Sequence, residues 1–72
     1  MRSVKGASRL TIRRLSRGLT QQALAEKVGI SPQILCGVER RKLPARPERQ
    51  RVLVEVLGGR ERTFFDAEGF AL

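Results

Sequence analysis

TQQALAEKVGISPQILCGVERR, from Thr20 to Arg41, is the stretch that decides the fold. It reads as two short helices with a tight turn between them. The first runs from about Thr20 to Val28. Thr20 stands where a helix N-cap belongs, with a hydroxyl able to accept an otherwise unpaired backbone N–H. Leu24 and Val28 are four apart and share one face, with Ala25 beside them. Gly29 follows, a residue free to take the left-handed conformation that ends a helix. Ile30 then turns inward. Ser31-Pro32 is a second start signal: a capping serine, then a proline at the first helical position, where a missing N–H costs nothing. The second helix spans about 31–40, with apolar Leu35 and Val38 three apart.

Two helices joined by so short a turn cross steeply. That is the helix-turn-helix plan, whose second helix lies in the DNA major groove; the alternative is an ordinary helical hairpin. The pattern G-L-T-Q-x-x-L-A-x-x-V-G-I-S from Gly18 to Ser31, followed by Val38-Glu39-Arg40, resembles the Cro/C1-type helix-turn-helix regulators of phage and bacteria. Gly18, Leu19, Thr20, Gln21, Leu24, Ala25, Gly29, Ser31 and Glu39 match in identity and spacing, and the resemblance covers roughly Arg9 to Gly58. The chain departs from the family twice. Arg41 stands where a glycine usually follows the second helix, and Gly37 lies inside that helix. The resemblance implies an all-α fold, a compact bundle of four to five helices of the lambda-repressor-like kind.

It also implies roles for particular residues. The arginine at position 14 should pair with Glu39, tying the recognition helix to the first helix through a bidentate guanidinium. Gln21, at a helix N-terminus where the dipole favours an anion, should contact a backbone phosphate. With Leu35 and Val38 facing the core, Pro32, Gln33, Cys36, Gly37 and Arg40 should look into the groove. Gln33 is the foremost base reader, since its amide can pair bidentately with adenine. Ile34, at the edge of that face, either touches a thymine methyl or packs half-buried. Cys36 reads as a small filler rather than a redox sensor. Gly37 has two readings, a gap that lets the helix sit deeper in the groove or a tolerated loss of helix propensity. Arg40, Arg41, Lys42 and Arg46, in the proline-broken loop after the helix, should meet phosphates and position the protein.

At 72 residues the chain can hold one domain with a modest core. Aromatic content is 4%, so that core must be Leu, Ile, Val and Ala. No apolar run approaches a membrane span or a signal-peptide core, and a cytoplasmic, nucleoid-associated protein is expected. The net charge of +8 favours a polyanionic partner, nucleic acid before membrane. One cysteine and no histidine leave no disulfide, no structural zinc site and no usual general base. There is no paired-carboxylate face, no nucleophile–base set and no phosphate-cradling glycine loop, so neither an enzyme, a cofactor nor a small-molecule ligand is expected.

Outward from the motif, residues 1–7 read as a mobile basic arm and residues 8–68 as the DNA-binding domain. Ser8 should cap a first helix, Arg9 to Arg17, ended by Gly18. Six basic residues and no acid lie between Met1 and Leu19, which beside this motif favours phosphate contact over a merely solvated face. Pro47-Glu48 opens a fourth helix running to Leu57, with Val52, Leu53, Val56 and Leu57 forming a wide apolar face. A short fifth helix, about Glu61 to Ala67, precedes a tail at 69–72. Adjacent Phe64 and Phe65 point about 100° apart on a helix, so only one should close the core. The other, with Phe70 and Leu72, should form an apolar patch for a second subunit.

The reading that follows is a sequence-specific regulator of duplex DNA, a repressor acting as a homodimer on a near-palindromic operator, as family members of this length usually do. Two other biologies share the fold: the DNA-binding antitoxin of a toxin–antitoxin pair and the controller protein of a restriction system. A module that binds only protein is the alternative of another class, and it does not require the basic excess.

Overall fold

The computed structural model describes residues 6–72; most of the basic arm expected over 1–7 lies outside the described residues. Five helices follow in order: α1 (Arg9–Ser16), α2 (Gln21–Val28), α3 (Pro32–Glu39), α4 (Pro47–Leu57) and α5 (Glu61–Phe64). The fold is all-α. None of these helices is long and apolar enough to cross a membrane.

Local chemistry sets the helix ends. The hydroxyls of Ser8, Thr20 and Ser31 accept the backbone N–H of Thr11, Ala23 and Ile34 at 3.2, 3.0 and 3.2 Å. Each removes one unpaired donor from a helix start, an effect of about 1 kcal/mol apiece. Gly29 ends α2 at φ +77°, and the next N–H, that of Ile30, donates back to Ala25 O at 3.0 Å. This bond closes the turn and aims α3 across α2.

The core lies where the helices converge. Leu10 of α1, Leu24 and Ala25 of α2, Leu35 and Val38 of α3, and Leu53 and Leu57 of α4 are buried in one cluster with Ala45, Phe64 and Phe65. Leu19, Val28, Ile30, Ile34, Val54 and Val56 pack around it.

The C-terminal segment differs from expectation. The fifth helix stops at Phe64 rather than Ala67, and Phe65 is extended at φ −132°, ψ 144°. Phe64 and Phe65 therefore escape the helical offset, and both are buried, at 2% and 3% exposure. Neither is a ring left over for a partner. Asp66 is the cause of the change. Its carboxylate accepts the N–H groups of Glu68 and Phe70, each at 2.9 Å, and reverses the chain. The returning segment makes an antiparallel bridge between Phe65 and Ala71. Leu72 N–H donates to Phe64 O at 2.8 Å, and Arg9 N–H to Leu72 O at 2.6 Å. Residues 69–72 are thus stitched into the domain. Gly69 makes the return possible: at φ +92°, any Cβ there would lie 2.6 Å from Ala45 O.

Candidate nucleic-acid interface

The recognition helix is anchored by its last residue. Glu39 is 3% exposed, yet its carboxylate is fully engaged. Arg14 Nε donates to Glu39 Oε2 at 2.7 Å and Nη2 to Oε1 at 3.3 Å. The third arm of the fork, Nη1, donates to Leu19 O at 2.7 Å. Gln21 Nε2 adds a bond to Glu39 Oε1 at 2.9 Å. One carboxylate therefore holds the end of α3 to α1 and to the start of α2. Every buried side-chain nitrogen and oxygen among the described residues has a partner. Buried charges of this kind are tolerable only when so completely paired.

The engagement changes the picture of Gln21. Its amide is not a free arm for a phosphate but a brace on Glu39, with one N–H remaining for another acceptor. The residues Arg14, Gln21, Glu39, Arg40 and Arg41 line a notch between the helices.

On α3, Leu35 and Val38 point inward, while Pro32 and Gln33 are exposed and Ile34, Cys36 and Gly37 are half-buried. Arg40, Lys42 and Arg46 are exposed beyond the helix. Arg41, expected to contact a phosphate, is exposed as well, with part of its guanidinium engaged within the chain. Its backbone sits at φ +64°, the left-handed conformation that a glycine would adopt without strain. Its guanidinium donates to two backbone carbonyls, Nε to Ala71 O at 3.1 Å and Nη1 to Gly6 O at 3.0 Å. Arg41 thus fastens the loop to Ala71 and Gly6 while remaining exposed at the surface.

The basic run of α1 is likewise partly used internally. Arg9 Nη1 donates to Thr63 O at 3.1 Å, and Arg13 Nη1 to Leu57 O at 3.1 Å with its guanidinium 5.6 Å from the centre of the Phe64 ring. Arg13 satisfies a helix C-terminal carbonyl where a cation is favoured. With Arg14 buried on Glu39, these arginines of α1 help to hold the helices together, while Arg9 and Arg17 stay exposed.

Sequence reasoning missed Leu43. The space that a side chain at position 37 would occupy is already filled: an ideal Cβ on Gly37 would lie 2.7 Å from Leu43 Cδ1 and 3.0 Å from its Cγ. The N–H groups of Lys42 and Leu43 both donate to Gly37 O, at 2.9 and 3.2 Å, folding the loop back over the helix. The glycine inside a helix was the available signal, and it marks a close approach rather than a gap.

No curated protein and no solved structure matches the chain. A family model described as helix-turn-helix matches residues 10–64, from the first core leucine of α1 to the end of α5. With α2 and α3 crossing about Gly29, and Glu39 locking the second of them to the bundle, the chain belongs to the Cro/C1-type helix-turn-helix family of DNA-binding regulators.

Proposed function

We propose that this protein is a sequence-specific repressor that reads the major groove with α3 and occupies a near-palindromic operator as a homodimer. The observation that carries the reading is the fully paired Glu39. It rigidly presents α3 with Gln33 exposed in its first turn and leaves Arg40, Lys42 and Arg46 exposed beyond its end. Pre-organisation of this kind favours a specific complex, because the helix itself need not be ordered on binding.

Gln33 supplies the bidentate pair to adenine, with Pro32 and Cys36 beside it on the outer face. Arg40, Lys42, Arg46 and the remaining N–H of Gln21 hold phosphates and set the register. An eight-residue recognition helix reads too few base pairs to find one site in a genome, which favours two copies acting together. Phe64 and Phe65 being internal, the subunit contact falls to Leu72 and half-buried Phe70, with Ile12 nearby. The Arg9–Leu72 bond brings the start of α1, one turn before Ile12, beside the tail. Leu72 and Ile12 are 37% and 43% exposed.

Selection from random duplex DNA tests the reading. It should enrich a near-palindrome with half-sites roughly 34 Å apart. Sedimentation with that site should show two protein chains per duplex. Recovery of no enriched sequence would overturn the specific reading, and one chain per duplex would overturn the dimer.

A further inference from the structure

We propose that Leu43, a loop residue, is a base-contacting residue that adds an apolar contact to the recognition surface and selects a thymine methyl. The inference rests on α3 lying in the major groove as proposed above.

Core-facing Leu35, Val38 and Glu39 define the inner side of α3. At about 100° per residue, position 37 projects almost directly opposite them. It lies on the outer side of the helix, in the same i,i+4 row as Gln33. The side chain that covers position 37 does not belong to the helix. Leu43 Cδ1, Cγ and Cβ lie 2.7, 3.0 and 3.6 Å from where a Cβ of residue 37 would stand.

Three features hold it there. Arg41 turns the chain through a left-handed conformation, its guanidinium ties the turn to Ala71 O, and the paired N–H bonds to Gly37 O return the backbone to the helix. Leu43 remains 44% exposed, a large apolar side chain beside the exposed Gln33 row. Its chemistry offers no hydrogen bond to a base edge. The feature of the major groove that it matches is the C5 methyl of thymine, which apolar side chains contact. Position 37 is about 6 Å along the helix from Gln33, so the thymine should lie within one or two base pairs of the adenine read by Gln33.

Replacing thymine by deoxyuridine removes only that methyl and needs no change in the protein. Within the selected site, each dT should be exchanged for dU in turn and binding measured by fluorescence anisotropy. One thymine per half-site, adjacent to the Gln33 base pair, should lose about fourfold in affinity, the worth of one buried methyl. Leu43→Ala should bind dT and dU equally at that position while keeping its sensitivity to the Gln33 base pair. Leu43→Met, apolar and of similar size, should retain the methyl preference. Wild-type protein indifferent to every dU exchange, or a Leu43→Ala protein with undiminished preference, would overturn the proposal. Failure of the underlying reading looks different: no sequence is enriched in the first place.

Discussion

Glu39→Ala should be among the most damaging single substitutions outside the apolar core. The change removes the acceptor of three hydrogen bonds and leaves the guanidinium of Arg14, a residue 8% exposed, without its counter-charge. Stranding one partner of a buried ion pair costs about 3–5 kcal/mol. A domain of this size has a net stability of roughly 4–11 kcal/mol, so the loss takes from about a quarter to all of it. Arg14→Ala should cost a similar amount by stranding the carboxylate and freeing Leu19 O. The double variant has no stranded charge, and its cost should fall short of the summed singles by about 2 kcal/mol or more. Arg14→Lys should be poorly tolerated, because one ammonium cannot reproduce the three-armed contact with Glu39 and Leu19 O. Urea unfolding followed by circular dichroism measures all four proteins, with the slope checked for constancy. Costs additive to within about 0.5 kcal/mol would refute the coupling and with it the account of how α3 is held.

The two glycine turns should respond unequally to alanine. Gly69→Ala meets both an unfavourable φ of +92° and the Ala45 carbonyl, and should cost about 3 kcal/mol or more in urea unfolding; Gly29→Ala has open space and should cost only about 1 kcal/mol. Equal losses would mean that the tail does not pack against Ala45. Log affinity for DNA should fall steeply with log salt, and the Arg40→Ala/Lys42→Ala variant should bind all sequences more weakly with a slope shallower by about 2. A salt-independent affinity would exclude phosphate contact by these side chains. Gln33→Ala should cost about 1–3 kcal/mol at one base pair per half-site and relax the choice there, as read by competition with single-base variants of the selected site. Unchanged base preferences would remove Gln33 from the readers.

The helices and their ends were legible in the sequence because their determinants are local. A capping hydroxyl at Ser8, Thr20 or Ser31 acts on an N–H three residues away, and Gly29 acts within its own turn. Apolar spacing then identifies the inner faces of α2 and α3, and so the outer face carrying Pro32 and Gln33. At the C-terminus, Phe64 and Phe65 suggested a longer helix and a spare ring. The opposing signal was present in Asp66 and Gly69, but its outcome was not local. The reversed chain is held by Ala45 N–H donating to Gly69 O at 2.8 Å, a partner that only the folded loop before α4 supplies. The destinations of the long polar side chains were likewise decided only by the tertiary structure. Arg41 binds a carbonyl 30 residues away and another 35 away, and Arg13 one 44 away. The Gln21 amide is claimed by a carboxylate that burial would otherwise leave underpaired. A guanidinium or an amide on a flexible stem has several low-energy directions, and it takes the one in which the folded chain offers an unpaired oxygen.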